Sequence, residues 1–149
     1  MTIKKISLVN AQMSDWEKVL EFEKIGKSKY FSPYETQKEV KKYLAESNVF
    51  LVKLGKKVIG TISYQPEGES AYFNGLIISP TERGKGYATK ALRLMLNKVK
   101  NFKRVYNRVH PQNTSALLTY LKEGFKIISW EENHFGDNEP RLIIEKLKE

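Results

Sequence analysis

Apolar residues recur with two periods along the chain, and the periods predict the elements. Ile3 to Val9 alternates apolar and polar, as a half-buried strand does. Ser14 with Glu17 three residues on has the spacing of a capping box. Trp16, Val19, Leu20 and Phe22 then give a helix an apolar face to about Ile25. Gly26 to Pro33 is polar, basic and aromatic and reads as a loop. A second helix is expected from about Tyr34 to Ala45, with Val40, Tyr43 and Leu44 inward. Val49 to Leu54 and Val58 to Tyr64 read as strands joined by Gly55-Lys56-Lys57, and Pro66-Glu67-Gly68 turns the chain into a further strand, Ala71 to Ile78.

Inside that strand stands Asn74-Gly75, a dipeptide common in hairpin turns. A hairpin here would leave flanking runs of only about three residues, so a bulge is the better reading. It would splay the strand from its neighbour and open a slot. Ser79-Pro80 ends the strand, because proline cannot donate to a ladder. Ala88, Ala91, Leu92, Met95, Leu96 and Val99 then recur at helical spacing from Gly86 to about Asn101. Val105 to Val109 is a strand, and His110-Pro111-Gln112 a loop. Asn113 or Ser115 caps a helix ending at Gly124, and strands follow at Phe125 to Trp130 and Arg141 to Leu147. The order is β-α-α-β-β-β-α-β-α-β-β. Hairpins with one βαβ crossover imply a mixed α/β sheet with helices on its faces.

The connection between the buried strand Leu76-Ile77-Ile78 and the third helix is Arg83-Gly84-Lys85-Gly86. Glycines between a strand and a helix let the backbone approach a ligand closely. The free N–H groups of the first helical turn, the helix dipole and two basic side chains then make an anion site. It is not a Walker loop, whose spacing is missing, nor a dinucleotide fingerprint. Position 89 is Thr where that fingerprint has its third glycine, and Arg83 to Lys122 contains no acid to hold a ribose.

Composition narrows the classes. The chain has 149 residues, 40% hydrophobic and 29% charged, which suits one globular domain over residues 1–149. No run of about 18 apolar residues suggests a membrane span, and the N-terminus lacks the apolar core of a signal peptide, so a cytoplasmic location is expected. There are no cysteines and two histidines, so neither a thiolate nucleophile nor a metal site is expected. The net charge of +9 is unevenly placed: Arg83 to Lys122 holds ten Lys or Arg and no acid, whereas Glu131, Glu132, Asp137 and Glu139 cluster later. A basic nucleic-acid-binding module is one alternative. Against it, the aromatics are not interleaved with the basic stretch as stacking platforms would be.

Arg83-x-x-Gly86-x-Ala88 resembles the pyrophosphate loop of the GNAT-superfamily N-acetyltransferases. Asn113-x-x-Ala116-Leu117-x-x-Tyr120-x-Lys122-x-Gly124-Phe125 resembles the second signature of that superfamily, after the strand that follows the loop. With the element order, the resemblance covers nearly the whole chain. It implies a GNAT-like fold and direct transfer of the acetyl group of acetyl-CoA to an amine of a small molecule or peptide. By the same resemblance, the backbone of Leu76, Ile77 and Ile78 would bond the pantetheine arm like an added strand. Gly84, Lys85, Gly86, Tyr87, Ala88 and Thr89, with the Arg83 charge, would hold the pyrophosphate. Asn113 would bond the arm from the facing side, and Tyr120 would protonate the departing thiolate. No metal is required. A homodimer is open, since many members of the superfamily dimerise, and a CoA-binding protein without transfer activity is a second alternative.

The general base is not fixed by these motifs. Bacterial protein N-terminal acetyltransferases of the superfamily carry a Glu where this chain has Arg108. Asn74 could position a water, or Glu35, Glu131 or Glu132 could act if the loops fold over the acceptor. The acidic loop Glu131 to Pro140 and Tyr30, Phe31 and Tyr34 are expected to line the acceptor site, where acids and aromatics would suit a cationic amine.

Overall fold

A computed structural model describes residues 4–28, 30–31 and 33–149. The strands are β1 (Ile6–Asn10), β2 (Asn48–Leu54), β3 (Lys57–Glu67), β4 (Ser70–Ile78), β5 (Arg104–Val109), β6 (Lys126–Glu131) and β7 (Arg141–Leu147). The helices are α1 (Trp16–Gly26), α2 (Gln37–Glu46), α3 (Tyr87–Lys98) and α4 (Thr114–Lys122). The element order is the one expected, and the fold is mixed α/β. Residues 1–3, at the start of the expected first strand, lie outside the described residues.

The strands form one sheet in the order β1-β2-β3-β4-β5-β7-β6. All neighbours are antiparallel except β4 and β5, which the α3 crossover makes parallel. Helices cover both faces, so β2 is buried on both sides and reads as a continuous apolar run. Its Phe50, Val52 and Leu54 join a core with Ala91, Leu92 and Met95 of α3 and Tyr120 of α4. Its Val49 and Leu51 pack with Val19 of α1 and Val40 and Tyr43 of α2.

The bulge falls at Asn74. Ser63 pairs with Gly75 and Tyr64 with Phe73, so Asn74 is the extra residue on β4. The side-chain parity flips across it. Ala71 and Phe73 lie in the α3–α4 core before the bulge, and Leu76 and Ile78 do so after it. Without the extra residue, Leu76 and Ile78 would point at α1 instead.

Two local expectations are corrected. The first helical segment begins with a single 3-10 turn, Met13–Asp15, and its box joins Gln12 and Asp15 rather than Ser14 and Glu17. The Gln12 N–H donates to Asp15 Oδ2 at 2.7 Å, which satisfies the chain entering the turn from outside. The second helix starts at Gln37, not near Tyr34, because Thr36 is the cap: its Oγ1 accepts the Glu39 N–H at 3.1 Å. Tyr34 is thereby left in the connection between α1 and α2. Among the described residues, no helix is long and apolar enough to cross a membrane.

Candidate active site

The strands β4 and β5 pair only through Ser70–Arg104, Ala71–Val105 and Tyr72–Tyr106. Beyond Tyr72 they part, and a cleft of about 800 Å³ opens between them. Leu76, Ile77 and Ile78 form one edge, and Asn107, Arg108 and Val109 the other. With β4 free of a partner there, its main-chain groups face the cleft rather than another strand.

One end of the cleft is the start of α3. Gly86 is the N-cap at φ 83°, a left-handed conformation that glycine adopts without penalty. An added Cβ at Gly84 or Gly86 would meet nothing within 4 Å, so both glycines border open space. The first-turn N–H groups of Tyr87, Ala88 and Thr89 have no intrahelical acceptor, and all three residues line the cleft. Arg83 is held in place by its Nε–H, which donates to the Ile78 carbonyl at 2.9 Å. This cradle of unsatisfied donors beside a guanidinium fits a pyrophosphate.

Lys85 is placed differently from its neighbours. Its ammonium lies 3.3 Å from Glu82, which also takes Lys57 at 3.1 Å. The hydrogen bonds from Lys57 and Lys85 hold the Glu82 carboxyl below the usual carboxylate range. Lys85 stands outside the lining, whereas Leu76, Ile77, Ile78, Arg83, Gly84, Gly86, Tyr87, Ala88, Thr89, Asn113 and Tyr120 are all brought to the one cleft.

Tyr120 sits on the last turn of α4, 3% exposed, with its ring edge-on to Phe125. Burial raises its phenol well above the usual range, and a hydrogen bond with the Asn107 side chain opposes the shift. The phenol is therefore protonated throughout the neutral range, a donor held at the wall of the cleft. Asn113 caps α4 through Oδ1, which accepts the Ala116 N–H at 3.4 Å, and so its amide nitrogen is the group left for the cleft.

The expected acid-lined acceptor site is not formed. Tyr30, Phe31, Tyr34 and Phe135 do line the cleft, but Glu131, Glu132, Asp137 and Glu139 do not. Each acid is turned to a nearer donor. Glu131 takes Arg108 Nε at 2.9 Å and His134 Nδ1 at 3.0 Å. Partial burial alone would raise its carboxyl, but the Arg108 hydrogen bond and charge hold it below the usual range. Glu132 accepts the Trp130 indole N–H, Asp137 pairs with Arg141 and Glu139 with His110. Glu35 pairs with Lys27 and also stands outside the lining. Of the candidates for activating the amine, Asn74 alone borders the cleft.

The motifs did not single out Tyr72, Asn107, His110 and Arg141 as lining. Asn107 carried a signal, a polar residue on the strand face that Val105 and Val109 bury. Tyr72 is two residues before Asn74, and its ring stacks on Tyr106 at 4.9 Å. His110 accepts the Gln112 N–H at Nδ1, so Nε2 carries the proton donated to Glu139 at 3.2 Å. Arg141, 1% exposed, bonds Asp137 at 2.8 Å and the Glu139 and Pro140 carbonyls, fixing the β6–β7 loop over the cleft. His110 lies 29 residues from Glu139, and no local spacing marks that pair.

Known structures share this architecture. An acetyltransferase of the GNAT family from Streptococcus pneumoniae superposes with a TM-score of 0.79 at 16% identity, covering 97% of this chain and 100% of that one. Spermidine N-acetyltransferase from Vibrio cholerae, in complex with CoA and spermine, gives 0.82 at 21% identity over 96% and 95%. The ribosomal-protein-S18-alanine N-acetyltransferase from Escherichia coli gives 0.79 at 13% identity over 97% and 94%. At such identities the likeness concerns the fold alone. No curated protein matches the sequence. The sequence model of the Acetyltransferase (GNAT) family matches residues 10–125, a span that includes the bulged strand, the glycine loop and the Asn113–Tyr120 helix. With fold and sequence in agreement, the chain belongs to the GNAT family of acetyltransferases.

Proposed function

We propose that the protein transfers the acetyl group of acetyl-CoA directly to a primary amine of a small molecule or peptide. The observation that carries this reading is the cleft itself, with unsatisfied N–H groups and Arg83 at one end and the buried Tyr120 hydroxyl on its wall. Gly84, Gly86, Tyr87, Ala88 and Thr89 would bind the pyrophosphate through backbone N–H groups. Leu76, Ile77 and Ile78 would bond the pantetheine arm through their main chain, and Asn113 through its free amide. Lys85, paired with Glu82, would contribute only long-range charge.

In the reaction, the amine nitrogen attacks the thioester carbonyl carbon, a C–N bond forms and the C–S bond breaks. Tyr120 would give its proton to the departing thiolate. The amine must also shed a proton. Asn74 borders the cleft and is fixed by Ser63 and Ser47, so it can hold a water that carries the proton out. Glu131 is a weak base in this setting, because Arg108 and His134 stabilise its ionised form.

Thermal unfolding with acetyl-CoA, followed by turnover against an amine panel, tests the reading. Ligand at 100 times its Kd should add about 2.7 kcal/mol, several degrees for a chain of this size. No shift at millimolar acetyl-CoA, or a shift without acetyl transfer to any amine, would overturn it.

A further inference from the structure

The charges at the acceptor end have the wrong sign for a polyamine. Apart from Glu82 and Arg83 at the phosphate loop, the charged side chains lining the cleft are Lys27, Arg108 and Arg141. No carboxylate lines that end among the described residues. Lys27 is exposed and paired with Glu35, and Arg141 is committed to Asp137 and two carbonyls. Arg108 remains. Its Nε bonds Glu131, and further hydrogen bonds join it to the Tyr72 and Tyr106 hydroxyls. A guanidinium has five N–H donors in a fixed fork, so donors are left over after these three partners.

The fork is also held rigidly. The Arg108 guanidinium lies 5.1 Å from the Tyr72 ring centre and 5.6 Å from that of Tyr106, two rings that stack on each other. Its side chain is 16% exposed. Glu131 does not depend on Arg108 alone, because His134 reaches its other oxygen. A second anion can therefore join Arg108 without displacing the first. Meanwhile Tyr30, Phe31, Tyr34 and Phe135 add aromatic surface to the same cleft.

We propose that the acceptor is an amine that also carries a carboxylate, and that Arg108 is the specificity-determining residue that binds this carboxylate in the cleft. The inference rests on the acetyltransferase reading above and adds the acceptor class to it. A cationic acceptor would meet Arg108 as a like charge, at a cost in low-dielectric surroundings.

The test uses amines in pairs that differ by one carboxylate: phenylalanine against phenethylamine, and 4-aminobutyrate against propylamine, with spermidine as the polycationic probe. The carboxylate-bearing member of at least one pair should have the higher kcat/KM, by about ten- to a hundredfold, the range of a charge-assisted hydrogen bond. Arg108→Gln should shrink that ratio towards one, and Arg108→Lys should keep part of it. Acetyl-CoA-induced stabilisation, measured alongside, reports whether each variant is folded. Preference for phenethylamine, propylamine or spermidine would overturn the inference while leaving acetyl transfer standing. So would a wild-type ratio in a folded Arg108→Gln, or no transfer to any carboxylate-bearing amine while acetyl-CoA still shifts the melting curve. Loss of the acetyl-CoA shift in the wild type would instead bring down the acetyltransferase reading, and this inference with it.

Discussion

The Ser63 hydroxyl donates to Asn74 Oδ1 at 2.7 Å, at the step where β3 and β4 slip register. The Tyr43 hydroxyl donates in turn to Ser63, and Asn74 Nδ2 donates to Ser47 Oγ at 2.9 Å. The bulge is thus tied to α2 by side chains as well as to the sheet. A Cβ at Gly75 would stand 2.9 Å from Ser63 Oγ and 3.0 Å from the Tyr43 hydroxyl, inside this chain of bonds. Gly75→Ala should destabilise the protein by about 1–3 kcal/mol, through overpacking and a displaced hydrogen bond. Denaturant unfolding measures it, and an unchanged midpoint would show that the chain of bonds yields without loss.

Tyr120→Phe removes only a hydroxyl bonded to Asn107. If that hydroxyl is the acid, kcat should fall by roughly 10²- to 10⁴-fold. Stabilisation by acetyl-CoA should survive. A variant turning over at the wild-type rate would take Tyr120 out of this role.

Gly86→Ala separates the loop's backbone from its contacts. The site is sterically open, so the cost in the free protein comes from φ 83° alone, about 1–2 kcal/mol. A methyl group facing the pyrophosphate should in addition raise the acetyl-CoA Kd at least about tenfold, which titration calorimetry would measure. An unaltered Kd would move the phosphate site elsewhere.

Glu23 on α1 is 2% exposed, and its Oε2 has no hydrogen-bond partner among the described residues. Burial raises its carboxyl to about 8, and the Tyr34 backbone bond only partly opposes this. The folded protein therefore binds a proton more tightly than the unfolded chain. The associated stability is complete below the ordinary glutamate range and is lost as pH rises towards about 8. The loss amounts to roughly 3–5 kcal/mol, as one pKa unit is worth about 1.4 kcal/mol. Glu23→Gln should flatten the fall, so that melting curves of the two proteins diverge from pH 5 to pH 9, with the variant the more stable at pH 9. Parallel curves would contradict the assignment.

The elements were legible where one signal dominated. The apolar run Leu142-Ile143-Ile144 just after Pro140 marks a strand over Arg141 to Leu147, and the observed β7 has the same bounds. At Asn74-Gly75 the short flanks decided between two turn signals, and the register agrees with the bulge. Reading failed at helix starts: Gln12 rather than Ser14 forms the first capping box, and the cap Thr36 sets the second helix's start beyond Tyr34. The acidic loop failed for a different reason. Its composition was plain, but the direction of each carboxylate depends on Arg108, Trp130, His110 and Arg141. Two of those pairings, Arg108–Glu131 and His110–Glu139, form only once distant segments are brought together by the sheet.

The seam of three residue pairs between β4 and β5 divides the sheet into two plates, β1–β4 and β5–β7. In main-chain bonding the plates are hinged rather than welded. A strand-like ligand lying along the gap would lengthen the seam from both sides and act as a splint. Amide exchange at Leu76–Ile78 and Asn107–Val109 should then slow together when acetyl-CoA binds, although the two segments belong to different plates. Occupancy would thus be felt as stiffness across the whole sheet, and the free protein would be the more compliant form.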